Sequence, residues 1–583
     1  MSFLVTRNFR RHNAEQLKES VVEAANTTYF VFAGKPTSYA NGSIPQPIDS
    51  VESVLYNTYE DMVFGKRVAD SDVALMIPRV EWVTDTVYTP YNSAEVVFGE
   101  NFYVAVNAES QYDVFKVLDN FGGAPSTVEP GLAQTSPSDA YYSTSDGYVW
   151  KYMYSVLAAN WQKFATQLWM PIQPNANVAG NAVSGAIELV RVDTSGSNYD
   201  STLANTFATS QISVGGNPLK FDLPNYASSN SGFYVGSALY IISGPGAGEL
   251  KSIIDYNGAQ RRVTTNGAFT TTPTSSSTYE ITPNIVSVGD GSGFVARGLV
   301  NTATSNSMYK VEIINRGSDY SYVTLTVGGN TGGISNAAVL VPIYSPRGGH
   351  GANSASELGA TAVCFGVSFA NSESGVLPVD NDFRTIGIVK DVLYANVQLT
   401  LNASSVSGVF TPGVSISQPV SGATGVVTSF GGTILTITAA AGVFVTGDSV
   451  YTTGNTASGN VDSYEINTVA KNFTTFDQRF RYVVDYISGT FVEDEAVYQN
   501  NVSLANGVFH SNDATYLSLT KVRGTFNIGE PIVGVDSGAV ANVVGRVPQD
   551  IVPFSGSVLY IENVNPIPRS NSQTEQLKIL LKF

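Results

Sequence analysis

Gly442-Val443-Phe444-Val445-Thr446-Gly447-Asp448-Ser449-Val450 and Gly524-Thr525-Phe526-Asn527-Ile528-Gly529-Glu530-Pro531-Ile532 are two copies of one pattern. A glycine leads, an aromatic follows two places on, and a Gly comes three residues after the Phe. A β-branched residue then opens an extended run. Gly408-Val409-Phe410 with Gly413, and Gly489-Thr490-Phe491 with Asp494, are two further copies. Glycine punctuation with short alternating runs is the signature of strands joined by tight turns. The copies are separated by 34, 47 and 35 residues, which is too uneven for a regular solenoid. Small β-sandwich or barrel modules are therefore expected over 396–545, and Ser421-Gly422-Ala423 and Ser537-Gly538-Ala539 echo each other within it.

Upstream, residues 176–340 carry a second repeat. Val190-Arg191-Val192 leads to Gly196-Ser197-Asn198-Tyr199, and Val311-Glu312-Ile313 leads to Gly317-Ser318-Asp319-Tyr320. Each reads as a short strand feeding a Gly-led turn capped by a Tyr. Outside these two regions the texture is mixed. Asn13-Ala14-Glu15-Gln16 reads as a capping box before a helix, and Asp49 with Glu52 opens a second helix that Gly65 closes. Tyr148, Trp150, Tyr152, Tyr154 and Val156 alternate as one aromatic face of a strand, and 577–583 reads as a terminal strand. The expected fold is mainly β with a mixed α/β core, multidomain and discontinuous. The core is made from 1–175, 341–395 and 546–583, interrupted by β-rich insertions at 176–340 and 396–545.

The chain has 583 residues, which suggests about four domains. Charged residues are 14% of it, against roughly 25% in an average soluble protein. The net charge of −17 argues against nucleic-acid binding, which needs clustered Lys and Arg. One cysteine, Cys364, allows no intrachain disulfide. No window approaches the apolar length of a membrane span or a secretion signal, so no membrane insertion and synthesis in a cytosol are expected.

Little in the sequence points to chemistry. His12, His350 and His510 have no His or Cys at ligand spacing, and Asp290-Gly291-Ser292-Gly293 lacks the carboxylates of a calcium loop. Gly244-Pro245-Gly246-Ala247-Gly248 has the wrong spacing for a phosphate loop and reads as a hairpin turn. Gly348-Gly349-His350-Gly351 offers a potential base with no partner visible in the sequence, and the plainer reading is a loop where backbones pass closely. Trp161 and Trp169 could stack on sugars, though their spacing suits core or interface positions better. Neither catalytic, metal nor cofactor-binding residues are expected.

The core segments resemble the baseplate wedge subunits of contractile-tailed phages, in the family of the T-even phages' eighth gene product. The stretches that carry this are Thr6-Arg7-Asn8-Phe9-Arg10, Asp49-Ser50-Val51, Ile77-Pro78-Arg79-Val80-Glu81-Trp82 and Asp146-Gly147-Tyr148-Val149-Trp150-Lys151-Tyr152. They continue with Phe383-Arg384 and Ile386-Gly387-Ile388, then Gly556 to Asn563, and finally Gln573 to Leu580. Together the core segments cover about 270 residues, and the two insertions depart from the shorter family pattern. The resemblance implies a non-enzymatic virion protein of the tail baseplate. It implies a homodimer within each wedge that contacts other wedge proteins. A receptor- or glycan-binding role through the insertions is the alternative.

Overall fold

A computed structural model describes residues 4–583 apart from 24–26, 40–42, 92, 94–100, 132–140, 203, 330–336, 374–375, 378–381, 470–472, 500–503, 548 and 571. The chain is mainly β, with barrel modules, as expected. It divides into two compact units. One comprises 1–14, 75–362 and 582–583, and the other 15–74 and 363–581. The stretch 1–175 is thus shared between the units. The strands Tyr29–Gly34 and Met62–Arg67 pair with strands beyond residue 363, whereas the strands of 103–157 pair with one another.

In the second unit a five-stranded antiparallel sheet runs Thr475–Asp477, Met62–Arg67, Tyr29–Gly34, Asp382–Lys390, Ser557–Pro568. Three of the expected core stretches therefore meet in one sheet, joined by a short strand from inside 396–545. Phe30, Phe32, Tyr59, Met62, Val389 and Phe476 fill its core. The expected second helix stops early. It spans Glu52–Asn57 and Thr58–Asp61, and Ser50, not Asp49, accepts the Ser53 amide at its start. Gly65 lies inside a strand because the Phe476 ring occupies the place of a side chain there: a Cβ would lie 2.2 Å from it. The first helix begins before its expected cap. It spans Arg7–Val22, with Thr6 Oγ1 accepting the Phe9 amide, so Asn13 sits mid-helix.

Residues 397–466 and 480–547 close into two six-stranded barrels. Each holds two of the Gly-x-Phe copies, 34 residues apart in one and 35 in the other, and the interval of 47 crosses between barrels. The lead glycines, Gly408, Gly442, Gly489 and Gly524, all have φ between +76° and +80°. The partnered phenylalanines, Phe410, Phe444, Phe491 and Phe526, are all buried in the barrel cores. At Gly524 a Cβ would lie 2.1 Å from the Leu504 carbonyl oxygen and 3.1 Å from Ala505 Cα. Gly524→Ala is expected to lose about 1–2 kcal/mol from the left-handed backbone alone, with the carbonyl clash in addition. Limited proteolysis of the second barrel checks this, and cleavage no faster than wild type would refute it.

The first unit holds a nine-stranded sheet drawn from 205–327, the pair Ile187–Thr194 with Val339–Tyr344, and a four-stranded sheet. That last sheet runs Tyr103–Asn107, Gln111–Asp119, Val149–Leu157, Tyr141–Ser143. The two Gly-Ser-Asx-Tyr copies adopt one conformation: Gly196 and Gly317 have φ of 60° and 63°, and Asn198 and Asp319 both have φ of 63°. Tyr199 and Tyr320 fold back over their own glycines into a common core.

The aromatic row behaves less simply than its alternation suggests. Val114 pairs with Tyr154 while its neighbour Phe115 pairs with Tyr152, so Met153 is bulged. Because adjacent residues of a strand face opposite ways, the bulge sends Tyr148, Trp150 and Tyr152 to one core and Tyr154 and Val156 to another. Trp150 is fully buried. Trp150→Ala is expected to cost about 3–5 kcal/mol, read as a fall in melting temperature. An unchanged melt would contradict the packing.

Candidate functional site

The first unit contains a buried ionic chain. Glu357, on the short helix Ser354–Leu358, accepts hydrogen bonds from Lys116 Nζ and from the Gly351 amide at 2.7 Å. His350 Nδ1 lies 3.0 Å from the same carboxylate, and its Nε2 donates to the Tyr152 carbonyl at 2.8 Å. Lys116 also sits 4.2 Å from the centre of the Tyr91 ring. Lys151 pairs with Glu188, which Arg316 reaches at 3.1 Å. Lys116, Lys151, Glu188, His350 and Glu357 are all buried.

The partner of His350 that sequence could not supply is therefore Glu357, seven residues on. The loop is also a close crossing, as read: a Cβ on Gly349 would lie 2.5 Å from the Val183 amide nitrogen. Both ring nitrogens are engaged and the ring is buried, so this histidine is held as a structural post. Burial lowers its pKa, Glu357 opposes this, and Lys116 adds to the lowering. Burial works against the charge of Glu357, but Lys116 and His350 outweigh it and hold the carboxyl well below the usual range.

The sign of both effects is the same. His350 binds a proton less readily when folded, so stability present above its ordinary value of 6.5 drains away as pH falls below it. Glu357 contributes stability above 4.5 that is lost as pH falls toward its depressed value. All four tryptophans, Trp82, Trp150, Trp161 and Trp169, lie in the first unit, so their fluorescence reports on it alone. Unfolding followed this way should show stability falling below pH 6.5 and faster below 4.5. His350→Gln should remove the upper limb. A curve flat from pH 7 to 5 in the wild type would refute the assignment.

A second cluster lies in the other unit. Lys35 contacts Asp382 at 3.0 Å, Asp494 at 3.4 Å, and Glu493. Arg384 joins Asp382 at 3.0 Å and Asp494 at 2.7 Å. Glu493 and Asp494 belong to a Gly-x-Phe loop of the second barrel, so the cluster fastens that barrel to the five-stranded sheet. Asp494 has φ +66°, at the position where the other copies carry Gly413, Gly447 and Gly529. Burial opposes its charge, but Arg384 and Lys35 hold its pKa below the ordinary value. In the sequence Asp494 is only a variant of the repeat, because its partners Lys35 and Arg384 are remote in the chain. The signal is that, of the four copies, this one alone carries a residue other than glycine at that position.

The other candidates are occupied by the fold. Asp290 accepts from the Ser321 and Tyr322 amides at 2.9 and 3.1 Å and from the Ser321 hydroxyl, which closes a turn. Gly244, Gly246 and Gly248 all have positive φ between the strands Ser237–Ser243 and Leu250–Asn257, and Glu249 accepts the Thr270 and Thr271 amides. Trp161 is buried in a stack on Tyr112, with ring centres 3.8 Å apart. Trp169 is half-buried, with Lys582 5.1 Å from its ring centre. Asp477 and Asp550 lie together, and burial raises Asp550 to about 6. However, Asp550 accepts the Asp477 amide and Asp477 is gripped by Arg479 at 2.6 and 2.9 Å. Among the described helices none is long and apolar enough to cross a membrane. The sequence matches no protein-family model and no curated protein.

Proposed function

We propose that this chain is a structural subunit of a phage tail baseplate wedge. In this reading it acts without catalysis, pairs as a homodimer, and holds neighbouring wedge proteins. It is made in the host cytoplasm and resides in the virion. One observation carries the reading: stretches that bear the resemblance, far apart in sequence, are partners in space. Ile386-Gly387-Ile388 is hydrogen-bonded in register to Glu562, Ile561 and Tyr560. Val80 and Trp82 pack against the cluster of Tyr148, Trp150 and Tyr152, and Trp82 Nε1 and Asp146 share Ser126 Oγ.

The buried ionic chains suit the role. Such pairs hold one geometry, and breaking one is costly, so contraction is expected to move the subunit as a rigid body rather than refold it. Immunogold labelling of intact virions with an antibody to this chain tests the proposal. Label at the tail baseplate is expected, and label on the head, on fibres alone or nowhere on the particle would overturn it.

A further inference from the structure

An open groove of about 870 Å³ lies in the first unit, between the loop at 119–122, the strand Tyr141–Ser143 and the strands Ile187–Thr194 and Ser307–Ser318. That volume is in the range of built ligand sites. At its rim Phe121 has φ +52°, a conformation a bulky residue rarely adopts, and it is 66% exposed. Its ring is seated on the backbone of Gly147, where a Cβ would lie 2.6 Å from Phe121 Cγ. The strained backbone therefore holds one aromatic face against the protein and leaves the rest of the ring to the groove. Tyr309, 60% exposed, is a second such ring in the lining.

The polar groups there are of both signs. Arg191 bonds Asp193 through Nε at 2.5 Å and through a terminal nitrogen at 3.3 Å, and Asp119 and Lys310 complete the charged lining. Two carboxylates and two cations leave the groove neutral, within a chain of net charge −17 that repels polyanions. An exposed aromatic ring accepts a flat apolar face. The carboxylates and donors beside it pair with hydroxyls that both donate and accept. A pyranose ring presents both: one face of C–H groups and a rim of hydroxyls.

We propose that this groove binds a neutral oligosaccharide, with Phe121 and Tyr309 as stacking platforms and Asp119, Arg191 and Asp193 as hydroxyl partners. The site does not depend on the baseplate reading, which virion labelling tests separately.

The full-length chain applied to a glycan array of bacterial surface oligosaccharides is the test, with Phe121→Ala, Tyr309→Ala and Asp193→Asn beside it. Wild type should retain neutral hexose oligosaccharides. Phe121→Ala should weaken retention roughly tenfold, a loss of about 1.4 kcal/mol, with tryptophan-monitored melting unchanged. If Phe121→Ala melts early, the other two variants decide, and each should reduce retention. No retention by wild type, retention of anionic glycans alone, or equal retention by all well-folded variants would overturn the proposal. So would capture of extended peptides, and not sugars, by the same groove.

Discussion

Deleting residues 577–583 is expected to yield insoluble chain. The strand Thr574–Lys582 buries Leu577 and Ile579 and pairs with Ala362–Ala370, whose Val363, Cys364, Phe365, Val367 and Phe369 are all buried. Losing two buried aliphatic side chains costs about 2–5 kcal/mol each, against a total stability of about 5–15 kcal/mol for a typical domain. The backbone consequence is as severe. An apolar strand stripped of its partner presents unpaired amides and carbonyls in an aggregation-prone edge. The terminal strand is itself the last of its sheet rather than a central one. The deletion thus moves the edge from an alternating, Lys-bearing strand to an almost wholly apolar one. The soluble fraction after expression checks this. A truncated chain that stays soluble with a native circular dichroism spectrum would refute it.

Glu357→Ala is expected to destabilise the first unit by about 3–5 kcal/mol, the range for breaking a buried ion pair from one side. The Lys116 ammonium would keep the Tyr91 ring but lose its carboxylate in a site where its side chain is inaccessible to water. The Gly351 amide would lose its acceptor and the His350 ring its Nδ1 partner in the same step. Glu357→Gln keeps an acceptor without the charge and should fall between the alanine variant and the wild type. Tryptophan-monitored chemical denaturation measures both. An alanine variant within 1 kcal/mol of wild type, on the scale of an ordinary surface substitution at about 0.5 kcal/mol, would show that the cluster does not hold the unit together.

The barrels were legible because their pattern is local. A glycine forced to positive φ and a phenylalanine two residues on lie in one turn, so spacing alone exposes them. The Gly-Ser-Asx-Tyr turns were legible for the same reason. The helix starts were missed because Thr6, Asn13, Asp49 and Ser50 are all chemically competent caps, and packing chooses among them. The Met153 bulge was invisible because it depends on the partner strand's register. The ionic clusters were unreadable because their members are remote: Lys116 and Glu357 are 241 residues apart, and Lys35 and Glu493 are 458. The groove was missed for a related reason. Phe121 is one aromatic among many until its backbone angle and its seat on Gly147 are known.

The chain enters and leaves the first barrel through adjacent backbone. The Asn467 amide donates to the Asn396 carbonyl at 2.8 Å, and the Tyr394 amide donates to the Thr468 carbonyl at 2.7 Å. The two ends of a closed module thus lie a hydrogen bond apart, while the second barrel is additionally bolted down through Asp494. The first barrel has the plumbing of an interchangeable cartridge. Recombination could swap it for another closed fold with neighbouring termini and leave the five-stranded sheet undisturbed, so the module is free to diversify while the sheet that carries it stays the same.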